Sequence, residues 1–583
     1  NLIELNNLII MKRVIFLFSL LIIINAGFSQ SAGFLFKYRI SFKDKNNSPY
    51  SVSNPSAFLT QKAINRRQNQ GIAINQLDIP VNYFYIDSIR NLGINIINQS
   101  RWFNSVIVSM TDTSALSTVR NYSFVKNVEL VISLNKKKKT SNNNTNALKS
   151  IYFSPKQLQN KYTANNKEFV ENEDFVALKS MDYGMAFLQI NMLQGISLHN
   201  QGYMGQGMTI AVLDAGFYQV DAMNVFDSLW LNGQILGTRD FVMPGNNVFN
   251  ESTHGMMVLS TMGANIQGQM VGTAPKANYW LLRTEDATSE NLIEEDNWAA
   301  GAEFADSIGV DLINSSLGYT TFDDAAMSHS YQDMDGRTTR VSQAATIAAR
   351  KGILVVNSAG NSGGGWWKYI GAPADADSII TVGAVNNMGN YAAFSSIGPS
   401  YDNRIKPTVA ALGEGSVIAT GGGVSTGNGT SFASPIICGM TACLWQAFPQ
   451  KTNQDIIEAI RLSASQYYTP DSLLGYGIPN YPVAAILLSG NNIYNFDKDN
   501  SFNVFPNPFN DILYIAYNSL DSQNVRVEIF NLKGERLFAV NDIPRHMGYN
   551  SITINNLSGL TNGIYIVRIT SGNKTSTQKV LKQ

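Results

Sequence analysis

The segment NGTSFASPIICGM, residues 428–440, sets Ser431 between a glycine turn and an apolar run that contains Pro435. A serine just before an apolar segment often caps a helix, and proline is tolerated in a first turn, where backbone N–H groups lack partners. The same position suits a nucleophile, because the first N–H groups of a helix can stabilise a negative charge that develops beside them. The segment alone leaves both interpretations open.

Acyl transfer by serine also needs a base, a group that orients the base, and donors for the oxyanion. Of the four histidines, at positions 199, 254, 329 and 546, only His254 is followed by glycine and an apolar helical run. Asp214 ends a strand of buried type, and Asn361 lies in the glycine turn SAGNSG, where its amide could hydrogen-bond an oxyanion. Taken alone, an aspartate at a strand end is more often a turn former, an asparagine between glycines a loop residue, and a lone histidine structural. Their order along the chain, Asp then His then Ser, is one of the few known for this geometry on α/β scaffolds.

The scaffold for these side chains is expected between residues 182 and 490. The runs MTIAVLDAGF, VDLINSSLG, GILVVNSAGN and SIITVGAV are short, apolar and β-branched, and they alternate with helical segments such as SQAATIAARK. This pattern predicts an α/β fold, a parallel sheet with helices on both faces. Functional groups in such sheets lie at the carboxyl ends of the strands. Three of the runs end there in polar or glycine clusters, at residues 214–216, 316–318 and 360–363.

The flanking residues predict further units. Residues 1–30 contain upstream residues and, from Met11, a basic and then apolar stretch typical of a secretory signal peptide. Residues 31–134 alternate strand-like runs with a basic helical stretch, which indicates a small α+β unit. Residues 135–181 begin with a lysine run and are rich in Asn, Ser and Thr, which favours an exposed linker, either a solvated loop or a processing site. Residues 500–583 predict an antiparallel β-sandwich of seven strands.

Composition narrows the class of protein. The formal net charge is zero and 44% of the 583 residues are hydrophobic, so nothing in the charge favours binding of nucleic acid. The two cysteines, Cys438 and Cys443, are five positions apart in the predicted helix, which turns by about 500° over that distance. Their side chains therefore diverge, and we expect core thiols rather than a disulfide.

Residues 182–488 resemble the subtilisin-like serine peptidases, or subtilases, in five motifs that occur in the family's order: AVLDAGF, STHGMMV, INSSLG, SAGNSG and GTSFASP. The resemblance implies a subtilisin-like fold, a catalytic triad and an oxyanion hole that uses the backbone N–H of the nucleophile. The residues that it assigns to these catalytic roles are Asp214, His254, Ser431 and Asn361. It also implies that the substrate pairs as an added strand with a first segment, Ser316, Leu317 and Gly318. A second segment, Ser358, Ala359 and Gly360, is implied to wall the pocket that receives the substrate residue before the cut.

Several positions depart from the residues usual in the family: Ala215, Met256, Thr408, Leu412 and Phe432. None of them removes a catalytic atom, so they bear on pocket shape and loop stability. Neither the side chain preferred before the cut nor the role of Trp366 and Trp367, which line the cleft or only pack a loop, follows from the sequence.

The flanks show resemblances as well. Residues 31–134 are similar to the propeptides that precede such domains and block the cleft. The C-terminal unit resembles the sorting domain of type IX secretion through three short segments, PNP at 506–508, GIY at 563–565 and the closing KVLK at 579–582. A generic adhesion or carbohydrate-binding sandwich is the alternative.

These inferences predict a secreted, zymogen-like serine endopeptidase that acts on polypeptides as a monomer. Its partners would be its own propeptide as inhibitor and the type IX machinery, which would carry it across the outer membrane to the medium or the cell surface. No redox or nucleotide cofactor is implied; calcium is allowed by the resemblance, without assigned ligands. A surface adhesion or binding protein on a degenerate peptidase fold and an esterase with the same triad are the alternatives.

Overall fold

A computed structural model describes residues 34–135, 181–490, 502–519, 524–543 and 548–583. We call residues 34–135 the N-terminal unit, residues 181–490 the central unit and residues 502–583 the C-terminal unit. The predicted signal peptide and nearly all of the predicted linker lie outside the described residues. Within those residues, no helix is both long and apolar enough to cross a membrane.

The central unit is built on a parallel sheet of seven strands, in the order β13-β12-β11-β10-β5-β9-β6. The strands are β5 (Thr209–Asp214), β6 (Ile235–Asp240), β9 (Asn278–Arg283), β10 (Leu312–Ser315), β11 (Leu354–Ser358), β12 (Ile380–Val385) and β13 (Val409–Leu412). Two short hairpins accompany the sheet, β7 (Asn265–Ile266) with β8 (Met270–Val271) and β14 (Glu414–Thr420) with β15 (Gly423–Asn428). The predicted parallel α/β sheet is confirmed.

Helices cover both faces of this sheet. They are α4 (Phe187–Asn191), α5 (Ile196–Asn200), α6 (Asp227–Leu231), α7 (His254–Gly263), α8 (Ile293–Ile308), α9 (Arg340–Arg350), α10 (Thr430–Ala447), α11 (Asn453–Leu462) and α12 (Tyr481–Leu488). Along β5, Ile210 and Val212 join the core formed with α7 and α10, whereas Ala211 and Leu213 join the core formed with α8 and α9. Successive side chains of a strand point to opposite faces, so a strand with an unbroken apolar run, residues 210–213 in β5, requires this double cover.

The N-terminal unit is the small α+β structure that its pattern predicts. Its antiparallel sheet has the order β2-β3-β1-β4, with β1 (Phe34–Phe42), β2 (Asn95–Ser100), β3 (Ser105–Met110) and β4 (Val125–Asn135). Its helices are α1 (Gln61–Asn69), α2 (Tyr83–Arg90) and α3 (Leu116–Asn121). Trp102, which is 4% exposed, packs into the α8 side of the central core.

Buried ion pairs join the N-terminal unit to α8. Asp306 is fully buried and accepts from three arginines of the N-terminal unit, Arg66, Arg67 and Arg101. Nearer the start of α8, the Asp296 carboxylate contacts Arg39 of β1. A buried charge is stable only with such partners, so α8 and the N-terminal unit depend on each other electrostatically.

The C-terminal unit is an antiparallel sandwich of two sheets, as the sequence predicts. One sheet has the order β16-β17-β20 and the other β19-β18-β21-β22. The strands are β16 (Asn503–Phe505), β17 (Leu513–Ser519), β18 (Val525–Asn531), β19 (Arg536–Ile543), β20 (Gly548–Ile554), β21 (Gly563–Ser571) and β22 (Lys574–Lys582). The unit touches the central unit, where Thr553 Oγ1 donates to Gln194 Oε1 at 2.6 Å and Ala516 packs against Val483 and Ile486 of α12.

Candidate active site

The side chains singled out from the sequence gather at the carboxyl edge of the central sheet. Asp214 is the last residue of β5, residues 316–318 follow β10, and residues 358–360 end and follow β11. Because β5, β10 and β11 are parallel neighbours in the sheet, their carboxyl ends meet at one edge. The helices α7 and α10 bring His254 and Ser431 to the same edge from their first turns.

Asp214 and His254 form a direct pair. The Nδ1 of His254 lies 2.8 Å from Oδ1 of Asp214, whose side chain is fully buried. That oxygen also accepts the backbone N–H of Ala215 at 2.8 Å, while Oδ2 is buried without a partner among the described residues. Gly255 makes the approach of α7 feasible, since a Cβ there would lie 2.4 Å from the carbonyl oxygen of Gly216.

The helix that carries Ser431 begins two residues earlier than a helix capped by Ser431, which would start at Phe432. α10 starts at Thr430, so Ser431 is its second residue and its side chain does not cap the helix. Pro435 consequently lies inside the helix rather than in the first turn, which corrects the expectation. Because proline lacks an N–H, it cannot bond to the carbonyl of Ser431, and that oxygen accepts the Ser316 hydroxyl at 2.9 Å instead.

Ser431 is 8% exposed, and its hydroxyl donates to the carbonyl of Ser316 over a long 3.4 Å. Among the described residues it makes no hydrogen bond to His254. The imidazole nevertheless lies beside the start of α10, with its ring centroid 6.4 Å from that of Phe432. Catalytic hydrogen bonds are often long before substrate is bound, so this geometry is compatible with a nucleophile that turns toward its base.

Asn361 is held by the residue before Ser431. Its Oδ1 accepts both the backbone N–H and the hydroxyl of Thr430, each at 2.9 Å. The Thr430 hydroxyl in turn accepts the N–H of Gly360 at 3.2 Å. With Oδ1 engaged, the amide Nδ2 is the end left to donate, and the Ser431 N–H is likewise without an acceptor among the described residues. Two donors are therefore available close to the Ser431 hydroxyl. Nothing in the sequence pattern pointed to the role of Thr430.

A cavity of about 170 Å³ opens beside Ser431. Both predicted substrate segments line it, residues 316–318 and residues 358–360, together with Asn361, Trp367 and Tyr369. Trp367 is 8% exposed and its Nε1 donates to the carbonyl of Ile370 at 3.2 Å, whereas Trp366 is 82% exposed. Of the two tryptophans left open by the sequence, Trp367 thus lines the cavity.

The backbone of residues 316–318 is only partly engaged. Asn357 Nδ2 donates to the Leu317 carbonyl at 3.2 Å, but neither backbone group of Gly318 has a partner among the described residues. A free N–H and C=O at the rim of a cleft suit the addition of an extended peptide. A second cavity, of about 860 Å³, lies between the central and C-terminal units and contains none of the predicted site residues.

The electrostatics of the site are dominated by carboxylates. Burial disfavours the charged imidazole, but the Asp214 carboxylate more than compensates and raises the pKa of His254 to about 9. Glu285, two residues beyond β9, also favours the charged imidazole. Burial, reinforced by Glu290 and Asp214, raises the pKa of Glu285 itself to about 8. Sequence reasoning missed Glu285, because no motif marks it.

Other candidate groups have structural roles. His199 is buried between the Tyr183 hydroxyl and the Thr273 carbonyl, and burial lowers its pKa to about 4. His329 pairs with Glu295, and His546 lies outside the described residues. Cys438 and Cys443 are free and buried, as predicted. Among the described residues, no group of three or more His, Cys, Asp or Glu side chains is arranged to hold a metal ion, and calcium keeps no assigned ligands.

Comparison with known families matches all three units. Residues 205–477 match the Subtilase family, residues 37–147 match the Peptidase S8 propeptide domain of Bacteroidota, and residues 503–583 match the Secretion system C-terminal sorting domain. Relatives include Subtilisin NAT of Bacillus subtilis subsp. natto, 31% identical over 54% of this chain and 74% of the relative, and Subtilisin of Bacillus pumilus, 30% identical over 53% and 99%. Among solved structures, MycP1 from Mycobacterium smegmatis is 21% identical, with a TM-score of 0.40 over 53% of this chain and 86% of that one.

Proposed function

The chain belongs to the subtilase family of serine peptidases, and we propose that it is a secreted endopeptidase that cleaves polypeptides through Asp214, His254 and Ser431. The observation that carries the proposal is the 2.8 Å contact between His254 Nδ1 and Asp214 Oδ1 at the same sheet edge as Ser431. That contact leaves Nε2 of the imidazole to accept the proton of the nucleophile.

In the proposed reaction the Ser431 hydroxyl attacks the carbonyl carbon of the scissile bond, and its proton passes to His254 Nε2. The C–N bond then breaks, and His254 returns the proton to the leaving amine. Water, deprotonated by the same imidazole, next attacks the acyl-enzyme and frees Ser431. Asp214 holds the imidazole in orientation and stabilises its charged form, which agrees with the raised pKa of His254.

The oxyanion formed in each step would accept hydrogen bonds from Asn361 Nδ2 and from the backbone N–H of Ser431. Support comes from the two hydrogen bonds that turn Asn361 Oδ1 toward Thr430. An amide fixed in advance needs no reorientation when charge develops, which is the main source of its catalytic effect. The substrate backbone would pair with residues 316–318, and the side chain before the cut would enter the cavity walled by residues 358–360 and Trp367.

The flanking units fit an exported zymogen. The N-terminal unit is a peptidase S8 propeptide domain, and its buried ion pairs with α8 would keep it bound as an inhibitor until it is removed. The C-terminal unit is a secretion-system sorting domain, so the peptidase is exported by that system. We propose that a signal peptide first takes the chain across the inner membrane, and that the sorting domain then directs it across the outer membrane.

Hydrolysis of a denatured protein by the processed enzyme tests the proposal. Wild type should generate internal cleavages, read by mass spectrometry, and Ser431→Ala should generate none. Ser425→Ala, an exposed serine of β15, is the matched control and should cleave normally. Cleavage that persists in Ser431→Ala would refute the assignment. Turnover of small esters without any cleavage of protein would favour an esterase, and no turnover of either would favour a binding protein.

A further inference from the structure

We propose that the cleft contains a subsite for a positively charged side chain of the substrate, formed by the carboxylates of Glu285, Glu290 and Glu294. The proposal rests on the peptidase function given above and specifies its substrate class: polypeptides that carry Arg or Lys among the residues preceding the cut.

The carboxylate group lies at the catalytic edge of the sheet. Arg283, the last residue of β9, pairs in register with Asp214, and the N–H of Thr284 donates to the Asp214 carbonyl at 3.0 Å. Glu285 follows directly, and its carboxylate acts electrostatically on both Asp214 and His254. The loop that carries the carboxylates therefore starts beside Asp214, although the three glutamates lie outside the 170 Å³ cavity next to Ser431.

Within the part of the chain that the structure describes, these three carboxylates have no cation at ion-pair distance, although their neighbours do. In the first turn of α8, Glu295 pairs with His329, and Asp296 with arginines. Among the described residues no cationic side chain pairs with Glu285, Glu290 or Glu294. Glu294 accepts only backbone N–H groups, from Asp286 at 3.1 Å and Asn291 at 3.0 Å.

Carboxylates that lie together without a cation repel one another, and this repulsion adds to burial in raising their pKa values. Burial, together with Glu285, raises the pKa of Glu294 to about 9, while burial and Glu290 raise that of Glu285 to about 8. A bound cation would stabilise the charged form of both carboxylates. A guanidinium or ammonium group would supply the charge and the N–H donors that the site lacks.

Unsatisfied buried polar atoms mark the same place. Tyr319 is 1% exposed and directly follows the predicted substrate segment at 316–318. Burial raises the pKa of its hydroxyl, and the charges of Glu285 and Glu294 raise it further. Its hydroxyl is close enough to Glu285 to favour the charged carboxylate, yet it lacks the geometry of a hydrogen bond. Thr284 Oγ1 and Asn291 Nδ2 are also buried without partners among the described residues. Buried polar atoms are rarely left unpaired, so unpaired atoms on the residues that adjoin Glu285 and Glu290 in the chain, and on Tyr319, point to a missing ligand.

The N-terminal unit already presents a cation to this site. Lys37 of β1 is half-buried and is influenced by Asp286 and Glu294, which favour its charged form, while burial lowers its pKa. The inhibitor and the site are thus complementary in charge. When the N-terminal unit leaves, the carboxylates lose this lysine and become available to a cationic substrate side chain.

Matched peptides test the subsite in the processed enzyme. In fluorogenic peptides of one sequence, arginine or its neutral isostere citrulline is placed at each of the four positions before the cut, and kcat/KM is measured at neutral pH. We expect arginine to be favoured about tenfold at one position, as hydrogen bonds between charged groups imply. Glu285→Gln should bring that ratio to about 1; because it also removes a charge that acts on His254, the ratio within the variant is the readout and not the absolute kcat/KM of either peptide.

Two further variants keep the test decisive. Glu290→Gln alters an exposed side chain that cannot disturb folding, and it should reduce the ratio at the same position. Glu414→Gln, an exposed carboxylate on β14, should leave it unchanged. The proposal is overturned if wild type treats arginine and citrulline alike at all four positions. It is also overturned if Glu285→Gln slows both peptides equally, or only weakens binding of the N-terminal unit. Absence of hydrolysis of every peptide would instead contradict the peptidase function.

Discussion

Replacing Asn361 with alanine should lower kcat about 10²–10³-fold, or about 2.7–4 kcal/mol, while KM changes little. The size of the effect follows from preorganisation. Asn361 Oδ1 accepts two 2.9 Å hydrogen bonds from Thr430, so Nδ2 is aimed before substrate arrives. The oxyanion exists only in the transition state and intermediates, so losing its donor should affect kcat rather than substrate binding.

The fold should survive this substitution. Asn361 is exposed, and the Thr430 hydroxyl keeps its contact with the Gly360 N–H at 3.2 Å. The variant loses the partner of one helix N-terminal N–H, which water can replace, at a cost of about 1 kcal/mol. The melting temperature should therefore fall by no more than about 2–4 °C.

The assay compares kcat and KM for a fluorogenic peptide after both chains have been matured by an added site-specific peptidase. Asn386→Ala is the matched control, since Asn386 likewise accepts two N–H groups of its own turn, from Met388 and Asn390, but lies away from the cleft. Thr430→Val, which removes one of the two bonds that orient the Asn361 amide, should cost about fivefold in kcat. A loss below about tenfold in Asn361→Ala, or a change in KM alone, would refute the oxyanion role.

Three other predictions concern the zymogen, the base and the pocket. Asp306→Asn should weaken binding of the cleaved N-terminal unit, followed by gel filtration, by about 10²-fold or more, because three arginines lose their counter-charge. Lys62→Gln removes a partly exposed ion pair and should weaken this binding by less than about fivefold. Equal effects of the two substitutions would contradict the role of the buried pairs. Since His254 cannot accept a proton while it is protonated, kcat/KM should rise with pH, with a midpoint near pH 9. In Asp214→Asn this midpoint should move to lower pH and activity should fall about 10⁴-fold, whereas an unmoved midpoint would argue against the pair. Trp367→Ala should widen the 170 Å³ cavity, so that substrates with a larger side chain directly before the cut are hydrolysed better. The measurement is the ratio of kcat/KM for peptides that differ in that side chain. Unchanged ratios would place Trp367 outside the pocket.

The positions of the strand ends were predictable from the chain. A short run of consecutive apolar residues that alternates with helical segments favours a strand buried on both faces, so β5, β10 and β11 were recognisable as central parallel strands. Their carboxyl ends then had to meet, which brings Asp214 and residues 316–318 together without any knowledge of distances. The five motifs then identified the partners of Asp214 as His254 on α7 and Ser431 on α10.

Other features depended on tertiary contacts that no local pattern encodes. The start of α10 is set by Asn361, 69 positions away, which accepts the N–H of Thr430, and this moves Pro435 from the expected first turn into the helix. The Glu285–Tyr319 approach likewise joins two loops that leave different strands. Trp367 was ambiguous for the same reason: exposure distinguishes it from Trp366, and exposure depends on the fold rather than on the sequence.

Reaction of the processed enzyme with diisopropyl fluorophosphate, followed by mass spectrometry, tests the central claim most directly. The account predicts one covalent adduct, located on Ser431, with reaction strongly slowed in His254→Ala and absent in Ser431→Ala. Failure of the processed wild type to form an adduct, or an adduct on another serine such as Ser434, would contradict it.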